Sequence, residues 1–103
     1  QIAYAFRTAI LGCLRTHEIT SDPVFAEKAA DIGAWFFGEN PANTRMYDPA
    51  TGRCFDGINS ENEVNRNSGA ESTIEALYAI MEVEANSVAK NRLMIDNNSM
   101  RNE

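Results

Sequence analysis

The sequence predicts an all-α fold: an antiparallel helical hairpin, then a long helix, with a long ordered loop between them that has room for a short β-hairpin. Three observations carry this expectation. Apolar residues recur at the helical period over three stretches. Start and stop signals bracket the second stretch. Between the second and third, residues 39–67 lose the helical period yet keep apolar anchors and turn residues; structureless loops longer than about 12–15 residues are uncommon in small domains and usually functional or disordered.

Residues 2–17 place Ile2, Phe6, Ala9, Ile10, Cys13 and Leu14 on one helical face, with Tyr4 and Leu11 widening it. This helix should end between Thr16 and Ile19. Ser21-Asp22-Pro23 marks the next start, with Asp22 as N-cap and Pro23 as the first helical residue, where a missing N–H costs nothing. The second helix is expected over 23–37, with Phe25, Ala29, Ile32, Gly33 and Phe36 along one side and Gly33 permitting close helix approach. Trp35 and Phe37 lie off that stripe, so the last turn reads as buried. Gly38 suits a left-handed stop and Pro41 bars continuation. The two helices form an antiparallel hairpin.

Within the loop, Met46, Tyr47, Phe55, Ile58 and Val64 are the anchors. Asp48-Pro49-Ala50-Thr51-Gly52 is a turn sequence flanked by Arg45-Met46-Tyr47 and Arg53-Cys54-Phe55, which predicts a two-stranded hairpin. The third helix should begin at Ser68 or Gly69. Its apolar stripe is Ala70, Ile74, Leu77, Met81 and Ala85, with Ala76, Ile80 and Val83 beside it, and the pattern runs to about Leu93. Residues 1–95 then make a single partial domain and 96–103 a polar tail. The opening residues already read as the inside of an amphipathic helix, so a fragment of a longer chain is expected. Cellular location is then not readable, with the cytoplasm favoured only by default.

Composition narrows the function classes. Of 103 residues, 44% are hydrophobic and 23% charged, as in globular domains. The net charge is −6 and the nine Lys and Arg read as scattered, which argues against nucleic acid and anionic membranes as partners. No apolar run approaches the roughly 20 residues of a membrane span. Cys13 and Cys54 lack paired spacing and there is one histidine, His17, so no metal or other cofactor is expected, and two free thiols are favoured over a disulfide. His17 itself reads as a packing or helix-terminal residue.

The candidate site residues lie inside 46–78, apart from Trp35. Glu71, at a helix start beside a polar loop, is placed for general acid or base chemistry. Equally, Ser68-x-x-Glu71 is a capping box, in which Glu71 reaches back to the Ser68 N–H. Asp56 follows an expected strand and precedes Gly57; with Glu71 it would supply the two carboxylates that flank a glycosidic bond in sugar hydrolysis. Asn65, Arg66 and Asn67 offer amides and a guanidinium to hydroxyls or a phosphate, or to loop backbone. Tyr47 is the preferred stacking residue for a sugar ring, and Trp35 a second, with core packing its main competitor.

These residues also carry a resemblance. Trp35-Phe36-Phe37-Gly38-Glu39-Asn40, the run Tyr47-Asp48-Pro49-Ala50-Thr51-Gly52-Arg53-Cys54-Phe55-Asp56-Gly57, and Asn65-Arg66-Asn67-Ser68-Gly69-Ala70-Glu71-Ser72-Thr73 resemble the last part of six-hairpin glycosidase-like (α/α) toroids, some associated with glycosyltransferases. The resemblance implies a partial toroid or superhelix, carbohydrate as ligand, and the rest of a toroid or a second copy as partner. It implies a carbohydrate-active, hydrolase-like protein to which this chain contributes a saccharide-binding loop. As an enzyme it would be a glycosidase-like hydrolase, not expected to act as this fragment alone. The competing reading is a non-catalytic helical module that binds glycan or assembles with a glycosyltransferase or itself.

Overall fold

A computed structural model describes residues 1–101, with side chains through Ile95. Helix α1 spans Ala5–Thr20, and α2 spans Pro23–Gly33 and runs directly into a 3₁₀ turn at Ala34–Phe37. Two hairpins follow: β1 (Tyr47–Asp48) with β2 (Arg53–Cys54), then β3 (Gly57–Ser60) with β4 (Glu63–Asn65). Helices α3 (Ala70–Ala85) and α4 (Ser87–Arg101) complete the described chain. The protein is thus mostly helical, with two small antiparallel sheets in the loop.

The helical hairpin forms where the start and stop signals lie. Asp22 Oδ1 accepts the Val24 N–H at 3.0 Å, and Pro23 occupies the first turn. Ser21, in the left-handed conformation at φ 58°, closes α1 by donating its N–H to the His17 carbonyl at 2.8 Å. The buried face of α2 is small, consisting of Ala26, Ala29, Ala30 and Gly33. That smoothness lets α1 and α4 pack closely against it, and Ile10, Leu14 and Leu93 fill the space left by the missing side chains. Gly38, at φ 116°, ends the 3₁₀ turn.

Three expectations about helices change. Residues 2–4 are not helical: Gln1 exchanges both backbone hydrogen bonds with Ile58 (2.9 and 2.8 Å), and Ile2 bridges Gly57, so the opening residues add an extended segment to β3. The expected single third helix is two. Asn86 leaves helical geometry at φ −103°, ψ 116°, its Oδ1 caps Ala89 N–H at 3.0 Å, and its Nδ2 lies 2.9 Å from His17 Nδ1. The cap satisfies an N–H that a continuing helix would have bonded itself, which makes the break cheap. Beyond it, α4 stays helical to Arg101, covering most of the stretch expected as a polar tail; residues 102–103 lie outside the described residues.

The third correction concerns which side of α3 faces inward. Ala76, Ala79, Ile80 and Val83 are buried, whereas Ile74, Leu77 and Met81 of the expected stripe are 59%, 44% and 59% exposed. The helix carries two apolar stripes, and the one rich in alanine wins the core because it admits the neighbouring helices at short range. Arg7 holds the flank of α3, bonded to Glu75 at 3.0 Å with its guanidinium 4.5 Å over the Tyr78 ring. The radius of gyration, 13.1 Å, is that of a compact chain of this length, about 13 Å for 100 residues.

The Gly57 junction provides a test. A Cβ there would collide with the Gln1 carbonyl oxygen, whereas one on Gly12, on the open face of α1, would meet nothing. Urea unfolding should therefore show Gly57→Ala losing about 1–3 kcal/mol. Gly12→Ala should gain about 0.5–1 kcal/mol from helix propensity.

Candidate functional site

The loop is built on the core by short backbone bonds. Met46 donates its N–H to the Phe36 carbonyl at 2.9 Å, and its own carbonyl accepts from Phe55 at 2.9 Å. Asn40 clips the segment before it, its amide nitrogen reaching the carbonyls of Trp35 and Thr44 at 2.8 Å each. With Met46 and Cys54 buried beneath, the β1–β2 hairpin stands on the core as expected, Tyr47 opposite Cys54 and Asp48 opposite Arg53. Gly52, at φ 75°, makes its turn, and Asp48 ties that turn together by accepting from Ala50 N–H (2.9 Å) and the Thr51 hydroxyl (3.0 Å). Those two bonds, Ala50 first, hold the Asp48 carboxyl below its ordinary value.

Asp56 is the structural centre of the region. Its N–H donates to the Asn67 carbonyl at 2.8 Å, its carbonyl accepts from Ala3 at 2.9 Å, and its Oδ1 accepts the Gly69 N–H at 2.9 Å. Gly69 is the N-cap residue of α3, so a carboxylate from thirteen positions upstream sits on the helix start. The Ser68–Glu71 capping box does not form. Ser68 Oγ lies 3.3 Å from Thr73 Oγ1 instead, and the Glu71 side chain is exposed with no hydrogen bond among the described residues. Capping was an incomplete account of this start because the acceptor is supplied by tertiary structure.

A cleft of about 490 Å³ opens beside the hairpin. Tyr47, Arg66 and Ser68 line it, together with Arg45, Arg53 and Thr51. Two of its guanidiniums lie against aromatic faces: Arg45 is 5.4 Å from the Phe37 centroid and Arg66 is 5.2 Å from that of Phe55. Tyr47 meets Phe37 edge to face at 6.2 Å. A second cleft of about 370 Å³ shares Arg66 as a wall and is flanked by Glu61 and Glu63.

Of the residues singled out in the sequence, Tyr47 and Arg66 line the larger cleft, whereas Asp56, Glu71, Asn65, Asn67 and Trp35 do not. Asn65 Oδ1 accepts the Asn67 N–H at 3.1 Å, a local turn that shapes the approach to α3. Trp35 is a core residue, 3% exposed. Its ring stacks on Phe6 at 4.2 Å and its Nε1–H donates to Gln1 Oε1 at 2.7 Å, leaving no face open for a sugar. Arg45 and Arg53 were missed as site residues, although their positions flanking the hairpin turn were a usable signal. Among the described residues no three of His, Cys, Asp and Glu converge on a metal position. Both cysteines are free, and burial, followed by the Asp56 charge, pushes the Cys54 thiol up to about 12, which keeps it protonated and unreactive.

The two accounts of the α3 start separate by mutation. Asp56→Ala should cost about 0.5–2 kcal/mol in chemical denaturation. Glu71→Gln should stay within about 0.5 kcal/mol of wild type, as an exposed substitution does; the reverse ranking would restore the capping box. No family model matches the chain, and no curated protein matches it.

Proposed function

We propose that this chain is a saccharide-binding segment of a carbohydrate-active protein, and that it binds rather than hydrolyses. The observation that carries the reading is the cleft beside the β1–β2 hairpin. A half-buried tyrosine there is surrounded by hydroxyl and guanidinium donors, the combination that suits a sugar ring and its hydroxyls. The resemblance of the 47–57 and 65–73 runs to toroidal glycosidase relatives supports the same ligand class.

Hydrolysis has weaker support. It needs two carboxylates facing one cleft. Asp56 is engaged by the start of α3, Glu71 lies outside the cleft, and Asp48, which does line it, already accepts two bonds from its own turn. The toroid belongs to this reading as an expectation. Its neighbouring helical hairpins would cover the exposed Ile74, Leu77 and Met81 face of α3. Among the described residues no helix is long and apolar enough to cross a membrane.

Binding to a panel of immobilised oligosaccharides, followed by calorimetry on the strongest, tests the reading. Tyr47→Ala should weaken binding about tenfold, equivalent to about 1.4 kcal/mol, while Glu71→Gln leaves affinity unchanged. Turnover of a bound glycan that disappears in Glu71→Gln would overturn the non-catalytic assignment, and absence of binding across the panel would overturn the ligand class.

A further inference from the structure

The charge of the cleft departs from that of the chain. The protein is acidic, net −6, with nine Lys and Arg in total. Three of the nine, Arg45, Arg53 and Arg66, line the one cleft that also holds Tyr47. The only carboxylate among the lining residues is Asp48, already bonded to Ala50 N–H and the Thr51 hydroxyl.

The partners of these arginines set them apart. Arg7, Arg15 and Arg92 each form a salt bridge, to Glu75, to Glu18 and Glu82, and to Asp31. Arg45, Arg53 and Arg66 form none among the described residues. Two of them are held instead by the Phe37 and Phe55 rings. Stacking orients a guanidinium while leaving its N–H groups free, so these donors are positioned without being consumed. They come from separate parts of the loop, one before β1, one on β2 and one between β4 and α3, and the fold brings them together. Guanidiniums so placed match the planar oxygens of a carboxylate or phosphate, and a partly enclosed cleft raises their effect above that of the same charges on open surface.

We infer that the cleft formed by Arg45, Arg53 and Arg66 around Tyr47 recognises a saccharide bearing an oxyanion, a carboxylate or a phosphate. The inference rests on the saccharide reading above and adds the charged substituent. Tyr47 takes the ring and the guanidiniums take the anion.

The test uses the 103-residue chain and a matched set differing at one carbon, glucose, glucuronate and glucose 6-phosphate, with inorganic phosphate as the sugar-free arm. Titrations are followed by amide chemical shifts of residues 45–68. At about 50 mM NaCl, glucuronate, glucose 6-phosphate or both should bind at least about tenfold tighter than glucose. That advantage should shrink at about 500 mM NaCl, where charges are screened within a few ångströms. Arg53→Gln and Arg66→Gln, both at exposed positions, should each remove most of the advantage by weakening the charged sugars more than glucose, with unaltered thermal melts confirming the fold. A preference for one of the two anions identifies the source of the charge and supports the inference either way. Equal binding of glucose and its charged analogues would overturn the inference while leaving the saccharide reading intact. Inorganic phosphate binding as tightly as the charged sugars would overturn the saccharide reading while leaving an anion site. Shifts from none of the four would overturn both.

Discussion

Asp56 is bonded three ways, and the arrangement of the loop depends on it. Its carbonyl holds Ala3, its N–H holds Asn67, and its carboxylate holds the N–H of Gly69, the N-cap residue of α3. One residue thereby joins the opening segment, the strand pair and a sixteen-residue helix. Hydrogen bonds to charged groups contribute about 1.5–3 kcal/mol where shielded, and less at a site open to water such as this. The consequence for function is geometric. Fixing residue 67 to residue 56 sets where Arg66 and Ser68 lie relative to the β1–β2 hairpin, and so defines the far wall of the cleft.

That clamp also separates two roles the same residue type could fill. A carboxylate committed to a helix start has one oxygen occupied and a conformation chosen by backbone, which is the wrong preparation for moving protons on a ligand. The cleft is lined instead by three arginines and a tyrosine. Burial of Met46 and Cys54 supports the hairpin from below, and the Phe37 and Phe55 rings orient the arginines above. Core packing and site geometry are thus continuous, with aromatics serving both.

Features governed by neighbouring residues were legible in the sequence. Asp22-Pro23 and Gly38 bound the second helical segment as their chemistry requires, and Asp48 to Gly52 turns the hairpin. What escaped depends on residues far apart. The Gly69 cap comes from thirteen positions upstream, and the Asn86 break is met by His17, sixty-nine positions upstream. The β3–β4 pair was missed because its apolar content is little more than Ile58 facing Val64, too little for a strand pattern. On α3, periodicity revealed an apolar face but not which of two faces turned inward, since that depends on how the other helices pack against it. Of the residues lining the cleft, Tyr47 and Arg66 stood out in the sequence, whereas the convergence of Arg45 and Arg53 with them requires the fold.

The central claim, that the Asp56 carboxylate holds the start of α3 through Gly69, is tested most directly by NMR on isotope-labelled protein. A scalar coupling across the hydrogen bond should link the Gly69 amide nitrogen to the Asp56 side-chain carboxyl carbon. The account predicts that coupling, together with slowed exchange of the Gly69 amide proton. A Gly69 amide exchanging at the rate of free peptide, with coupling seen instead between the Ser68 amide and the Glu71 carboxyl, would contradict it.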